Sequence, residues 1–475
     1  MELFDLTPRE IATRVRSGEW SARETTAAAL TAIDERNDQV NAFVALDHER
    51  SMEQAEAIDA LVASGADPGP LAGVPLGVKD LEDAAGFVTT HGSPLEADSE
   101  VAVRDSHLVA RLRRAGCVVV GKTNTPEYGW TARTSNALFG FTRNPWDLSH
   151  SAGGSSGGSA AAIAAGMVPL ATGSDGGGSI RIPSALCGLS GFKPSFGRVP
   201  SGGTQPPGWL HFSAKGPMAR SIVDVAHALD AVVGPEQDDL NSLPRPEASW
   251  IDAVRDPGLP ARIGWSPTLG YAPVDGAVLA ACERALATLD GLGVEVVEVP
   301  AVFDVDPVRS WIAVVAACHA RDLADQRDHP RYGELPSQLR DLVELGGRVD
   351  GVTIVRAYDE FHRMNLRLVE LFRDVRLLCT PTTAATAPHE DDGIQGVVNG
   401  VRDDAWVRFT YPFNMTRNPA ATVCAGLSDA GLPVGLQLVG PQHADLSVLR
   451  AAAAIETAIG FDARPPMLGP TRSPR

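Results

Sequence analysis

Lys79, Ser155 and Ser179 have the residue types and settings that acyl transfer requires. A serine hydrolase without a histidine needs a base that is neutral at working pH, a path for the proton and backbone donors for the oxyanion. Lys79 sits in Pro75-Leu76-Gly77-Val78-Lys79-Asp80, where apolar neighbours can desolvate the amine and lower its pKa. It is one of four lysines, with Lys122, Lys193 and Lys215, against 37 arginines, and of the two residue types only lysine can lose its proton near neutrality. The competing reading is a core-edge lysine paired with Asp80 or Asp83. Ser155 lies among glycines in Gly153-Gly154-Ser155-Ser156-Gly157-Gly158, where close backbone approach lets a hydroxyl both accept and donate a proton. Ser179 follows three glycines in Asp175-Gly176-Gly177-Gly178-Ser179-Ile180-Arg181, a tight loop able to aim its N–H groups one way. Flexible turns are the bland reading of both loops. Two glycine-rich serine loops 24 residues apart, downstream of a rare lysine, argue against it.

Three other patterns match on paper. Gly116 to Thr123 spells the phosphate-loop pattern, but its middle is Cys117-Val118-Val119-Val120, β-branched strand residues where a wrapping loop is required. Ser190-Gly191-Phe192-Lys193 spells S-x-x-K, yet Gly191 and Pro194 oppose the helical turn that motif needs. Gly153 to Gly157 spells G-x-S-x-G, the nucleophile elbow of a Ser-His-Asp esterase of the α/β-hydrolase type, and His319, His329, His362, His389 and His443 lie downstream. Against that alternative, Asn144 to His150 reads as a loop, whereas an elbow follows a buried strand.

The elements that must position these residues follow from capping and periodicity. Thr7-Pro8-Arg9-Glu10 and Ser21-Ala22-Arg23-Glu24 each fit a capping box, predicting two N-terminal helices, with a third over 48–63. Residues 106–115 read as a helix ended by Gly116 and followed by a buried strand; 275–293 followed by 294–299 repeats the arrangement. Apolar runs at 376–380, 420–424 and 434–439 and a helix near 444–459 complete an α/β pattern, a sheet covered by helices. From Gly153 to Gly191 there are 11 glycines and seven serines alternating with apolar runs, which marks a packed unit and not a linker. The proline-rich stretch 234–260 reads as a surface excursion between two halves and is the best candidate boundary.

Composition bounds the class. With 44% hydrophobic and 21% charged residues in 475, the chain is globular and long enough for a large core. A net charge of −18 disfavours direct binding to nucleic acid or an anionic membrane and leaves small neutral partners open. The N-terminus lacks a secretory pattern and no run reaches the ~18 apolar residues of a membrane span, so the expected location is cytoplasmic. The six cysteines are scattered, so buried free thiols are expected, with no disulfide, metal or other cofactor.

On Pro75 to Asp80, Gly153 to Gly158 and Gly173 to Arg181, with Gly121-Lys-Thr-Asn124, Thr142 to Asp147, Gly191 to Pro194, Gly216-Pro-Met218 and Gly431 to Gln437, the chain resembles the amidase signature family over nearly its whole length. The resemblance implies a large mixed β-sheet covered by helices on both faces. It also implies one domain in four parts: helices over 1–65, a signature core over 66–230, a more variable helical part over 231–375 and a return to the sheet over 376–475. It implies a Ser-Ser-Lys triad with Ser179 as nucleophile, Ser155 as bridge and Lys79 as base, a cis peptide before Ser155, and an oxyanion hole from Gly176, Gly177, Gly178 and Ser179. Ser156, Asp175 and Arg181 are then structural, the last two as an ion pair. Gly176 stands where many relatives carry a larger residue, which suggests a looser loop.

Tyr128, Trp130, Phe139, Trp209 and His211 flank the motifs, as does Phe212, and are candidates for an apolar, aryl-accepting cleft; core packing is the competing reading. The function expected is hydrolysis of small or aromatic linear amides, an acylamidase extending to aryl carbamates or esters, by a monomer or homodimer. The alternatives are the glutaminase component of the tRNA-dependent amidotransferase, its A subunit, and a catalytically silent scaffold.

Overall fold

The computed structural model describes residues 2–202 and 208–469. Its N-terminal helices form where the capping boxes fall. Thr7 and Ser21 each accept from the N–H three residues on, while Glu10 and Glu24 reach back, starting helices Pro8–Arg16 and Ala22–Val40. The third helix, His48–Ala63, is capped by Asp47.

Two main ladders of strands, one of five and one of six, form separate sheets. The first runs in the order Phe43–Leu46, Val118–Thr123, Pro75–Lys79, Leu170–Asp175, Ala214–Met218. Its three central strands are parallel and nearly all their residues are buried, which explains their continuous apolar runs. The outer two strands pair antiparallel. The second ladder runs Glu295–Glu298, Arg262–Trp265, Leu378–Pro381, Pro433–Val439, Ala420–Leu427, Gly191–Lys193. The ladders meet where Ser190 bridges Ala219. Helices pack on both ladders: Gly157–Ala164 against the first, and Arg181–Leu186, Gly276–Ala287 and Asp445–Ile459 against the second.

Strand polarity positions the site. Pro75–Lys79 and Leu170–Asp175 are parallel neighbours, with Leu76 opposite Leu170 and Gly77 opposite Ala171. Their carboxyl ends therefore emerge at one edge, the usual place for a ligand site in such sheets. Lys79 ends one strand and Asp175 the other.

Two readings of the sequence need correction. Residues 144–150 are not all loop: Arg143–Asn144 and Asp147–Ser151 form a hairpin. It lies outside both ladders and only Ser151 of its second strand is buried, so it does not supply the buried strand of a nucleophile elbow. The proline-rich stretch 234–260 is also not wholly a surface excursion, since it contains the short helix Trp250–Arg255, whose Trp250 and Val254 are buried. The phosphate-loop and S-x-x-K matches fall in strands, Val118–Thr123 and Gly191–Lys193, where neither motif can act. All six cysteines are buried and unbridged. No helix among the described residues is long and apolar enough to cross a membrane.

Candidate active site

Lys79 is fully buried at the end of its strand, its N–H donating to Thr172 Oγ1 at 2.9 Å on the neighbouring strand. Its amine reaches two hydroxyls, Ser155 Oγ at 2.8 Å and Ser174 Oγ at 2.9 Å. Burial lowers its pKa to about 7, against Glu82 and Asp175, which favour the ammonium, and with Lys215, which opposes it. At that value a large share of the amine is neutral under ordinary conditions.

Ser155 is 2% exposed and stands just ahead of helix Gly157–Ala164, preceded by a cis Gly154–Ser155 peptide. Ser179 is 8% exposed, just ahead of helix Arg181–Leu186. The Ser156 N–H donates to the Ser179 carbonyl at 3.3 Å, and the Ser174 N–H to Ser156 Oγ at 3.4 Å, so Ser156 ties the two serine loops together. Among the described residues no histidine is hydrogen-bonded to Ser155 or Ser179; the group at Ser155 Oγ is Lys79.

The glycine loop rests on a buried ion pair. Asp175 and Arg181 contact at 2.8 Å with neither side chain exposed. Asp175 Oδ1 accepts from the Gly178 N–H at 2.8 Å, which engages that donor, while no protein acceptor among the described residues pairs with the N–H groups of Gly176, Gly177 and Ser179. Thr410 Oγ1 donates to the Gly177 carbonyl at 2.6 Å and Asn414 Nδ2 to the Asp175 carbonyl at 2.6 Å. With those carbonyls fixed, the peptide planes and their N–H directions are fixed too. Gly178 has φ +128°, and a Cβ there would overlap Thr410 Oγ1.

Aromatic side chains cover this loop. Trp209 occupies the space a Cβ on Gly176 would need, so the loop is filled by a neighbour's ring where a looser one was expected. Trp311 lies over Gly177 and donates Nε1 to the Gly176 carbonyl at 3.3 Å. Trp209 is edge-on to Trp311 and to His319, at 6.0 and 5.4 Å between centroids.

Of the other aromatic candidates, Tyr128 and Trp130 flank Gly129, where a Cβ would come 3.1 Å from Ser155 Oγ, and they pack against the cluster Leu323, Leu335, Leu339 and Val343. His211 is bound to Tyr358 Oη at 3.0 Å and Phe212 is buried against Phe361, the latter a core role. Phe139 is tied by its carbonyl to Asn41 Nδ2 at 2.8 Å, and no ring contact joins it to the others. An open cavity of about 580 Å³, lined by Trp146, Arg284 and Phe461 among others, contains none of these residues.

Ser174, Trp311, Thr410 and Asn414 were not singled out from sequence. Ser174 lies inside a quoted motif, where its place two residues beyond Thr172 on the strand could have flagged it; the other three are more than 130 residues away and carry no local signal.

Comparison with known proteins gives the family. A family model described as Amidase matches residues 24–449. The chain is 39% identical over 459 residues to an acylamidase from Rhodococcus erythropolis, covering 95% of each. It is 36% identical over 497 residues to the A subunit of the glutamyl-tRNA(Gln) amidotransferase of Salinispora arenicola, covering 97% of this chain and 98% of that one. A solved bacterial aryl acylamidase of the amidase signature family superimposes with TM-score 0.88 at 30% identity, covering 95% of this chain and 96% of that one. With a lysine–serine contact at one sheet edge and matches spanning nearly the whole chain, the protein belongs to the amidase signature family, hydrolases of carbon–nitrogen bonds in linear amides.

Proposed function

We propose that this chain is a stand-alone acylamidase that hydrolyses small or aromatic linear amides through an acyl-enzyme on Ser179, with aryl carbamates and esters as further substrates. The observation that carries the reading is the buried Lys79 amine, 2.8 Å from Ser155 Oγ and held near pKa 7 by its burial.

Neutral Lys79 accepts the Ser155 hydroxyl proton as Ser155 takes the proton of Ser179. Ser179 Oγ bonds to the amide carbonyl carbon, and the negative charge on the carbonyl oxygen is met by the free N–H groups of Gly176, Gly177 and Ser179, with Gly178 held back to Asp175. The C–N bond breaks as the proton returns from Lys79 through Ser155 to the departing amine. Water then attacks the acyl-enzyme with the same proton path and releases the acid. Trp209, Trp311, Tyr128 and Trp130 form the apolar walls that suit an aryl group.

The test is turnover of a panel of amides, anilides, carbamates and esters by wild-type and Ser179→Ala protein, with labelling by a fluorophosphonate probe. The wild type should label and turn over; Ser179→Ala should do neither beyond background. Near-normal turnover by Ser179→Ala removes the nucleophile assignment, and an unlabelled, inert wild type favours a silent scaffold.

The second reading is the glutaminase component of the tRNA-dependent amidotransferase, supported by the 36% identity to that component in Salinispora arenicola. Residues 233–242 lack the Asp-Ser-Thr-Ser ending associated with it, and the charge of −18 would leave tRNA contact to other chains. Turnover of a simple anilide by the purified chain alone supports the acylamidase; co-purification with two companion proteins of the amidotransferase supports the second reading.

A further inference from the structure

The pocket that holds Lys79 contains more charge than its proposed role needs. Asp80, Glu82 and Asp83 follow it in sequence, Lys122 lies on the adjacent strand Val118–Thr123, Asp175 ends the other adjacent strand, and Lys215 lies on Ala214–Met218. Asp175 is paired with Arg181, and Asp80 with Lys122 at 3.1 Å, while Lys122 also donates to the Glu82 carbonyl at 2.8 Å. Asp83 is partly exposed, so the buried acid still to be met is the Glu82 carboxylate, 2% exposed, whose two oxygens are held by Lys215 Nζ at 2.8 and 2.9 Å.

Both members of this pair are anchored next to the proposed base. The Glu82 N–H donates to the Lys79 carbonyl at 2.9 Å. Lys215 is the ladder partner of Ser174, whose hydroxyl touches the Lys79 amine. A buried carboxylate is costly unless a cation meets it. Without Lys215, the cation in this pocket not already paired with an acidic residue is, among the described residues, the Lys79 ammonium.

We propose that Lys215 is a positioning residue for the reaction: by holding Glu82 in its own ion pair, it keeps that carboxylate from capturing Lys79 as an ammonium, and so keeps the Lys79 amine free to accept a proton. The inference rests on the reading of Lys79 as base. Glu82 and Asp175 favour the charged form of Lys79 and Lys215 disfavours it, in agreement with the geometry.

The test is the pH dependence of kcat/KM on one anilide for wild type, Lys215→Met, Glu82→Gln and the double variant. Because the reactive form is the neutral amine, activity rises with pH through the pKa of Lys79, with a wild-type midpoint near 7. Lys215→Met should move that midpoint up by about one unit. Glu82→Gln should move it down, and the double variant should return towards the wild-type value. Should Lys215→Met fail to fold, Glu82→Gln decides alone, and an unmoved or raised midpoint in it overturns the proposal. A Lys215→Met enzyme slowed by one factor at every pH, with its midpoint unmoved, assigns Lys215 a merely structural role and also overturns it. A wild-type profile flat on its acid side removes the reading of Lys79 as base, and the inference with it; a normal wild-type limb that the variants leave unmoved sinks the Lys215 inference alone.

Discussion

The Arg181 guanidinium and the Asp175 carboxylate form a two-point ion pair, Nε to Oδ2 at 2.9 Å and Nη2 to Oδ1 at 2.8 Å, with neither side chain exposed. The same guanidinium donates to Gln437 Oε1 and Asn414 Oδ1, both at 2.6 Å, and to the Thr410 carbonyl at 3.1 Å. The glycine loop is thus fixed from beneath by residues from two distant parts of the chain, Thr410–Asn414 and Gln437.

Removing the cation should be severe. Arg181→Leu leaves a buried carboxylate unpaired and is expected to cost about 3–5 kcal/mol in urea unfolding. Arg181→Lys should also fail, because a point charge cannot reproduce the planar fork. Burial alone would raise the Asp175 pKa, but Arg181, Lys193 and Asn414 overcome it and hold the carboxyl at about 2. That value is below the ordinary ~3.9 of an unfolded chain, so the contribution is present above about pH 4 and is lost as pH falls through about 2. Wild-type stability from this pair should therefore decline only in strong acid, and an Arg181 variant as stable as wild type at neutral pH would refute its supporting role.

Lys79→Arg keeps the charge and removes the proposed base. Arginine cannot be neutral at working pH, so kcat should drop roughly 100- to 10,000-fold while the protein still folds by circular dichroism. Ser174→Ala removes only one neighbour of the amine and should cost about five-fold. Equal losses in the two variants would place Ser174 on the proton path and not beside it.

A third expectation concerns the space over Gly176. Trp209 fills it, so Gly176→Val should push the ring aside and lower kcat/KM by about ten-fold or more on an anilide. Trp209→Ala opens the same volume, so adding it to Gly176→Val should recover part of the loss, read as a non-additive double-mutant cycle. Additive losses would mean that the two side chains do not compete for one space.

The contacts that set this loop explain what the sequence could and could not disclose. That Lys79, Ser155 and the Ser179 loop come together was legible because each sits in a local run whose glycines or apolar neighbours state its setting. The N-terminal helices were legible because a capping box is written within four residues. Thr410 and Asn414 were not, since their role exists only when Thr410–Asn414 folds back onto a loop more than 230 residues earlier. The Asp147–Ser151 strand was missed because its pairing is a two-stranded hairpin with a register shift, lacking the apolar alternation by which half-buried strands announce themselves. Of the rings over the glycine loop, Trp209 lies near a motif, while Trp311 arrives on helix Val308–Leu323 with ordinary helical neighbours.

Glu456 gives a pH-dependent stability expectation away from the site. It lies on helix Asp445–Ile459, accepts from Ser190 Oγ, and both its carboxyl oxygens lie 3.2 Å from the Ile222 N–H at the start of helix Ile222–Val232. Burial raises its pKa to about 7, and nearby Asp224, itself raised to about 6 by burial, adds to the effect against the hydrogen bonds from Ser190 and Ile222. The folded value is above that of an unfolded glutamate, ~4.3, so the folded state binds the extra proton between these limits. The stability it contributes is fully present below about pH 4 and lost as pH rises through about 7. Glu456→Gln keeps an acceptor for the Ile222 N–H and a partner for Ser190 without the charge. It should stabilise the protein by on the order of 2 kcal/mol at about pH 8 and have little effect at about pH 4.5. Urea unfolding at both pH values checks this, and a variant whose effect is the same at both would show that Glu456 does not change protonation on folding.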